Sequence, residues 1–310
     1  MDLFLQRLFD GLDNGAIYAV AAVSLVLIFK ATSLINFAQG ELAMFGTFIA
    51  YVLAVTLGWS EFAIGILPIG LIAATMAAMG VSAAAGAGIQ RTLLRSFDPT
   101  DPLPVVLITL GLFLILNSTA GYIWNFNPRS FPSLFPNGTE DYVSIAGARL
   151  RYTVIGTWAV LGIICATLWL VLTRTKIGLA FRAVSSNAEA ARVVGVRVGR
   201  TLAFGWALAT AFGTLGGVLV APKLFLQPNM MVTLLIFALA AATVGGLDSL
   251  TGAVVGGVVI GLIQSLLVGY LGDIDTAFTV LSLGVAFVVI VIVLWFRPAG
   301  LLGTSSVERV

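Results

Sequence analysis

The stretch NGAIYAVAAVSLVLIFK, from Asn14 to Lys30, opens the apolar pattern that decides the fold of this chain. Its part from Ala16 to Phe29 contains no charged residue, and a lysine follows it. A helix that crosses the hydrocarbon of a bilayer needs about 20 apolar residues, and roughly 17 is the short limit. The stretch therefore predicts a membrane-spanning α-helix, and further runs of the same kind follow it along the chain.

The composition extends that prediction to the whole chain. Hydrophobic residues make up 59% of the 310 residues, charged residues make up 10%, and the mean hydropathy is +1.07. A soluble domain has about 25% charged residues, so this chain cannot cover a surface that faces water. Its apolar runs are continuous and not alternating, which favours helices over a barrel. We predict an all-α polytopic membrane protein, a single transmembrane domain over residues 1–310, with the lipid bilayer and no nucleic acid as a partner.

Several kinds of chemistry are excluded by what the sequence lacks. It has no histidine and one cysteine, Cys165, which lies in an apolar run. A disulfide within the chain, a metal site of cysteine and histidine, and catalysis by histidine are therefore excluded. The sequence also has no nucleotide-binding loop of the form G-x-x-x-x-G-K-[ST]. We predict no catalytic residue, no metal and no cofactor on this chain, and no enzymatic activity of its own.

Nine apolar runs predict about nine transmembrane helices, with eight to ten as the range. The seventh is short and ends in two glycines, so it is a candidate for a tilted or re-entrant helix. If the C-terminus is cytoplasmic, nine crossings place eleven of the lysines and arginines inside and five outside, as the positive-inside rule requires. The predicted runs are 14–30, 36–57, 62–88, 103–125, 152–172, 201–221, 232–247, 252–271 and 276–296.

Two connections between the runs are long. Residues 126–151 contain three prolines and an Asn-Gly pair, which indicates a turn-rich extracytoplasmic loop. Residues 173–200 carry six basic residues and one acidic residue, which indicates a cytoplasmic loop.

The cytoplasmic loop contains the signals of a short helix over about residues 186–196. Ser186 and Glu189 are spaced as a capping box, and Asn187 is an alternative cap. The helix is expected from Ala188 to Val194, and Gly195 is placed to close it in a left-handed conformation. Two roles fit such a helix: it lies on the membrane surface with its arginines on lipid phosphates, or it docks a cytoplasmic partner.

The spelling Glu189-Ala190-Ala191-x-x-x-Gly195 resembles the coupling-helix motif of permeases from ABC importers. Further blocks resemble the branch that imports branched-chain amino acids, and together they cover nearly the whole chain. They are DGLDNGAIYAVAAVSLVLIFKATSLINFAQGELAMFG (Asp10 to Gly46), TKIGLAFRAVSSNAEAARVVGVRV (Thr175 to Val198), FGTLGGVL, VGGLDSLTGAVVGG and FRPAGLLG.

This resemblance implies the type II ABC importer permease fold and a bacterial cytoplasmic (inner) membrane protein. In such importers two permease subunits form a pathway, and two cytoplasmic ABC ATPases, which hold the ATP and Mg, each bind one coupling helix. A periplasmic or extracellular substrate-binding protein delivers the leucine, isoleucine or valine. A related second permease, and so a heterodimer, is favoured. The ATPase-coupling residues implied here are Arg182, Ser186, Asn187, Glu189, Ala190, Ala191, Arg192, Gly195 and Val196.

Polar side chains within the apolar runs are candidates for the translocation pathway, because such groups are costly in a membrane. Several also have an ordinary explanation. Glu41 would lie at the membrane interface, tied to Lys30 or to a helix N-terminus, and Asn117, Gln264 and Ser265 would form hydrogen bonds between helices. The pathway candidates are Asn14, Asn36, Gln39, Glu41 and Asn117.

Other functions stay open on the sequence alone. Urea, short amides or other amino acids fit the same kind of pathway. An ion-coupled secondary transporter would place acidic residues deep in several helices, whereas Glu41 is the one fair candidate in this sequence. A passive channel would have no need of a docking helix.

Overall fold

The computed structural model of the chain describes residues 2–63, 68–94, 102–271 and 282–303. Seven helices in these ranges are long and apolar enough to cross a membrane, and two shorter apolar helices, Met230–Gly245 and Gly284–Phe296, accompany them. The prediction of an all-α polytopic membrane protein with about nine spans is confirmed. The described helices are α1 (Asp2–Thr32), α2 (Gln39–Tyr51), α3 (Ile69–Ile89), α4 (Pro102–Trp124), α5 (Tyr152–Arg174), α6 (Lys176–Ser186), α7 (Ala188–Val193), α8 (Val198–Leu224), α9 (Met230–Gly245), α10 (Leu250–Leu271) and α11 (Ser282–Phe296).

Most predicted runs match these helices to within a few residues. The largest difference is at the first run, which was predicted to begin at residue 14, whereas α1 begins at Asp2. The next largest is at the third run. The prediction was 62–88, whereas α3 begins at Ile69 and a π-helical turn, Gln90–Leu94, continues it. Pro68 directly precedes α3 as its N-cap residue. A single helix over 62–88 would place this proline in the helix interior, where it lacks the N–H and its ring clashes with the preceding turn. Within the predicted runs 62–88 and 276–296, residues 64–67 and 276–281 lie outside the described residues.

The chain forms two compact units. Unit 1 comprises residues 1–26, 135–161 and 234–310, and unit 2 comprises residues 27–134 and 162–233. The helices α1, α5 and α9 each contribute residues to both.

Glycines hold unit 1 together by letting helix backbones touch. A Cβ on Gly257 would meet the backbone of Ala19, and one on Gly261 would meet the backbone of Gly15. On its other side α10 packs on α9, where a Cβ on Gly256 would meet the Ala241 carbonyl. Small residues allow this close approach of helices in membranes. The two Gly-x-x-x-Gly pairs of α10 therefore pack the helices of this same chain.

Unit 2 is built around α2, α3 and α8, which small polar residues join. Thr214 Oγ1 donates a hydrogen bond to Ser82 Oγ at 2.8 Å, and Thr210 Oγ1 donates to the Ser82 carbonyl at 2.9 Å. All three residues are buried, and a Cβ on Gly46 would fall on Thr214 and Ser82. The glycine thus makes room for a hydroxyl pair between α3 and α8.

The long connection predicted over residues 126–151 contains a β-hairpin that was not predicted. β1 (Tyr142–Ile145) pairs antiparallel with β2 (Ala148–Arg151). Ala146 and Gly147 join them with φ values of 50° and 87°, and positive φ at both central residues is typical of the tight turns that fit the twist of a hairpin. The turn-rich loop predicted for 126–151 therefore ends in a short ordered ribbon.

Candidate functional site

The helix α6 precedes the predicted coupling segment and buries one apolar face within unit 2. Thr175 caps it, because the Thr175 hydroxyl accepts a hydrogen bond from the Gly178 N–H at 3.0 Å. Gly178, Phe181 and Val184, spaced three residues apart, are buried. This spacing is that of an amphipathic helix, and sequence analysis did not predict the helix.

Two contacts fix the C-terminal half of α6 within unit 2. Phe181 is 1% exposed, and its ring lies against Gly205 of α8, where a Cβ would stand 2.9 Å from the ring. The Ser185 hydroxyl donates a hydrogen bond to the Lys30 carbonyl near the end of α1. The last turn of α6 is therefore attached to both α1 and α8.

The helix α7 begins at Ala188, as predicted, and the residue that caps it is the alternative one. Asn187 is its N-cap, and the Asn187 Oδ1 accepts a hydrogen bond from the Ala190 N–H at 2.8 Å. The prediction of Ser186 as the cap is wrong, because Ser186 is the last residue of α6. The alternative cap, Asn187, is confirmed.

The C-terminal end of α7 is closed by a left-handed glycine, as predicted. Gly195 has a φ of 86°, and its N–H donates to the Arg192 carbonyl at 3.1 Å. The Val196 N–H donates to the Ala191 carbonyl at 2.9 Å. These two bonds form a Schellman motif, which satisfies carbonyls that the helix end would leave unpaired. The helix ends at Val193, one residue before the predicted end.

The remaining surface of α7 is exposed. Ala191 is 3% exposed and holds the helix to unit 2, whereas Glu189, Ala190 and Arg192 are exposed. Val193 and Val194 are 88% and 78% exposed. Of the other predicted coupling residues, Val196 is half-buried and four are exposed: Arg182, Ser186, Asn187 and Gly195. This surface combines one negative charge, one positive charge and two large apolar side chains.

A second group of predicted residues lies where α1 gives way to α2. Asn36 and Gln39 are each 2% exposed, and Asn36 Nδ2 donates to Gln39 Oε1 at 3.3 Å. Gln39 Nε2 donates to the Ala209 carbonyl of α8 at 2.8 Å. Ala209 lies 11 residues after Val198, the first residue of α8, which is about 17 Å along a helix axis. The α2 helix therefore begins beside the middle of α8 and not beside its end.

Glu41 lies in the first turn of α2 and is 1% exposed. Asn117 of α4 donates from Nδ2 to Glu41 Oε2 at 3.3 Å. The same Nδ2 lies 3.3 Å from the Pro228 carbonyl and 3.1 Å from Asn229 Oδ1. The structure thus places Glu41 at a helix N-terminus, one of its two predicted alternatives, and joins it to Asn117.

The fifth predicted pathway residue, Asn14, is half-buried in α1 and belongs to unit 1, whereas the other four belong to unit 2. Gln264 and Ser265, also in unit 1, bond to other helices as expected. Gln264 accepts from the Tyr18 hydroxyl, and Ser265 Oγ donates to the Arg7 carbonyl at 2.7 Å.

Sequence reasoning missed Ser185, Phe181, Pro228 and Asn229. The spacing of Gly178, Phe181 and Val184 is a periodic signal that could have revealed α6. Asn229 gave no comparable signal, because its contact with Asn117 joins residues 112 positions apart.

Comparison with known proteins relates the chain to transport proteins. The family described as "Branched-chain amino acid transport system / permease component" matches residues 7–294. The chain is 28% identical over 309 residues to the high-affinity branched-chain amino acid transport system permease protein BraD of Pseudomonas aeruginosa, covering 99% of this chain and 98% of BraD. It is 25% identical over 319 residues to the corresponding protein LivH of Escherichia coli, with the same two coverages.

Two other likenesses are weaker. The galactose/methyl galactoside import permease protein MglC of Escherichia coli is 29% identical over 227 residues, which cover 72% of this chain and 61% of MglC. A solved structure of PsaBC from Streptococcus pneumoniae in complex with Fab aligns with 96% of this chain and 92% of that chain, at 16% identity and a TM-score of 0.47.

Proposed function

Because this chain belongs to the family of permease components of branched-chain amino acid transport systems, we propose that it is the membrane-spanning subunit of an ATP-driven ABC importer of leucine, isoleucine and valine. The full-length similarity to BraD and LivH supports this substrate class. Its membrane-spanning helices serve the passage of the amino acid across the bilayer, and the chain itself does not hydrolyse ATP. Its place is the cytoplasmic membrane, with the C-terminus in the cytoplasm.

The observation that carries the proposal is the exposed, closed helix α7. Its backbone ends are satisfied by Asn187 and by the bonds around Gly195, so its shape does not depend on a partner. Its outward surface leaves Val193 and Val194 uncovered. Large exposed apolar side chains rimmed by charges are typical of a surface that binds another protein.

The partner of α7 is a soluble ATPase subunit that holds ATP and Mg. Glu189 and Arg192 make ionic contacts in its groove, and Val193 and Val194 fill the apolar part. The attachment of α6 to α1 and α8, through Ser185 and Phe181, carries the movement of the ATPase into the membrane helices. Two such ATPases serve two permeases, this chain and a related second permease.

Substrate enters from a binding protein on the outer side. Asn36, Gln39, Glu41 and Asn117 contribute amide and carboxylate groups to a mostly apolar pathway in unit 2, and Asn14 contributes one in unit 1. Such a pathway suits an amino acid with an apolar side chain and a zwitterionic head. High affinity then belongs to the binding protein.

A charge reversal tests the docking role. Glu189→Arg is expected to abolish ATP-driven leucine uptake in reconstituted vesicles and to release the ATPase during purification in mild detergent, while membrane insertion stays intact. Glu61→Arg is the matched control, because Glu61 is an exposed carboxylate far along the chain from α7. Uptake and co-purification should be unchanged in that control, and coupled uptake by the Glu189→Arg importer would contradict the proposal.

The rival classes give different outcomes in the same vesicles. A channel would keep its transport after deletion of residues 186–195, and a secondary transporter would follow an ion gradient and not ATP. The partial similarity to MglC makes a sugar the substrate to exclude within the family. Competition of labelled leucine uptake by excess valine, galactose or urea separates these substrates.

A further inference from the structure

Hydrogen-bond acceptors outnumber donors around Glu41. The Asn117 amide nitrogen carries two hydrogens, yet three oxygens lie within hydrogen-bonding distance of it: Glu41 Oε2 at 3.3 Å, the Pro228 carbonyl at 3.3 Å and Asn229 Oδ1 at 3.1 Å. This one donor cannot serve all three oxygens at the same time.

The second carboxylate oxygen of Glu41 increases the imbalance. Glu41 is 1% exposed, and within the part of the chain that the structure describes, its Oε1 is buried with no hydrogen-bond partner. A buried carboxylate oxygen without a donor or a cation is disfavoured, and Oε1 is such an oxygen although Oε2 accepts from Asn117. In this cluster, Glu41, Pro228 and Asn229 therefore present four acceptor oxygens, against the two hydrogens of the Asn117 amide nitrogen.

The oxygens are held in place by three separate elements of unit 2. Glu41 is in the first turn of α2, and Asn117 is on α4. The connection between α8 and α9, which carries Pro228 and Asn229, is tied by a backbone pair: the Arg129 N–H donates to the Leu226 carbonyl at 3.0 Å, and the Leu226 N–H donates back at 2.8 Å. Acceptor oxygens that are already held in place lower the free-energy cost of binding, because mobile side chains would first have to be ordered.

The cluster also runs from the surface of the chain inward. Asn229 is exposed, Asn117 is half-buried and Glu41 is buried. A ligand that approaches from the exposed end meets an amide oxygen first and the carboxylate last.

A group that fits this cluster has several donors, no acceptor and a positive charge. A primary ammonium has three N–H donors and no acceptor. We infer that the cluster of Glu41, Asn117, Pro228 and Asn229 binds the α-ammonium group of the transported amino acid, an assignment of the ligand that rests on the proposed function. Oxygens of this kind also attract alkali metal cations, so the experiment separates the two.

The probe is 3-methylbutylammonium, which keeps the ammonium and a branched apolar chain and has no carboxylate. Equilibrium dialysis with the purified importer in nanodiscs, without binding protein, measures its saturable binding. Glu41→Gln should weaken that binding at least about tenfold, since hydrogen bonds to charged groups are the stronger ones. Glu41→Asp, which keeps the charge on a shorter side chain, should lie between Gln and the unchanged chain.

Controls separate the charge effect from misfolding and from partition into lipid. Glu61→Gln makes the same substitution at an exposed carboxylate and should leave binding unchanged. The uncharged 3-methylbutan-1-ol should bind the Glu41→Gln importer as it binds the unchanged importer. Each variant is accepted for comparison when it elutes from size exclusion with its ATPase, as the unchanged chain does.

Three results would overturn the inference. They are equal amine binding before and after Glu41→Gln, no saturable amine binding to the unchanged importer, and displacement of the amine by sodium or potassium chloride but not by choline chloride. The third result assigns the cluster to a metal cation. ATP-driven leucine uptake, measured on the same preparations with binding protein, tests the proposed function separately. Uptake without amine binding would contradict the ammonium site alone, and a lack of uptake would contradict the proposed function.

Discussion

The helices α1 and α4 have nearly the same mean hydropathy, yet they have opposite surroundings. In the most apolar part of α1, 83% of the residues are buried within the chain, against 11% in α4. The α1 helix presents small residues such as Gly15 and Ala19 to the glycines of α10. The α4 helix presents large side chains, among them Leu107 and Leu114, which are 59% and 63% exposed.

The hydropathy of a helix and its packing against other helices are therefore separate signals in the sequence. Apolar composition places a helix in the bilayer, because lipid and protein interior are both apolar. Small residues decide whether another helix comes close, because van der Waals contact and not water exclusion drives association in a membrane. Paired substitutions in α1, α4, α10 and the segment around α7 can test whether packing is independent of hydropathy.

The largest effect is expected where two backbones touch. Gly261→Leu would force a side chain into the backbone of Gly15, whereas Gly111→Leu in α4 has nothing within 4 Å of its new Cβ. We expect Gly261→Leu to destabilise the protein by about 3 kcal/mol or to prevent its recovery as a folded species. Gly111→Leu should change stability by less than about 0.5 kcal/mol.

Apparent melting temperatures in detergent, read by size exclusion after heating, measure both variants. Equal melting temperatures for the two variants would contradict the proposed difference between α1 and α4, because they would show that the α1–α10 contact tolerates a large side chain.

A smaller effect is expected from removing a large side chain. Leu27 in α1 is fully buried and Leu114 in α4 is 63% exposed. Leu27→Ala should cost about 2 kcal/mol through lost contacts and a cavity, and Leu114→Ala should cost less than about 0.5 kcal/mol. The same heating assay checks the pair. A larger loss from Leu114→Ala would indicate that a partner subunit covers that face of α4 in the purified complex.

The smallest effect on stability is expected at Gly195, where space and backbone conformation disagree. A Cβ meets nothing within 4 Å at Gly195 or at Gly199, but only Gly195 of the two has a positive φ. Gly195→Val should strain the end of α7 by about 1–2 kcal/mol. Overall melting should barely change, while ATP-driven uptake should fall several-fold.

Gly199→Val is the matched control and should keep its uptake. Equal uptake in the two variants would show that α7 needs no left-handed residue at its end. Gly195→Val and Gly199→Val together distinguish a steric clash from a disallowed backbone conformation.

The sequence predicted what local patterns encode. Apolar runs predicted the spans, and Gly195 was correctly predicted to close α7. The capping box failed because Ser186 is the last residue of α6, and a motif of four residues carries no information about a competing helix. The periodic signal of Gly178, Phe181 and Val184 was present, but it is short and lies in a basic loop.

The polar cluster shows the opposite limit. Asn36, Gln39, Glu41 and Asn117 were predicted as individual pathway candidates, because polar groups within apolar runs are recognisable one by one. Their joining to Pro228 and Asn229 depends on how α2, α4 and the connection after α8 pack. No pattern along the chain encodes a contact between residues 76 or 112 positions apart.

The closed ends of α7 have a consequence for how such proteins diversify. Its cap, Asn187, and its exit, Gly195, lie within nine residues of sequence, and both are satisfied by neighbours inside that interval. Glu189, Arg192 and Val193 can therefore be exchanged without altering the shape of the segment or the helices beneath it. Under the proposed docking role, the residues that contact the partner can therefore change independently of the transmembrane helices.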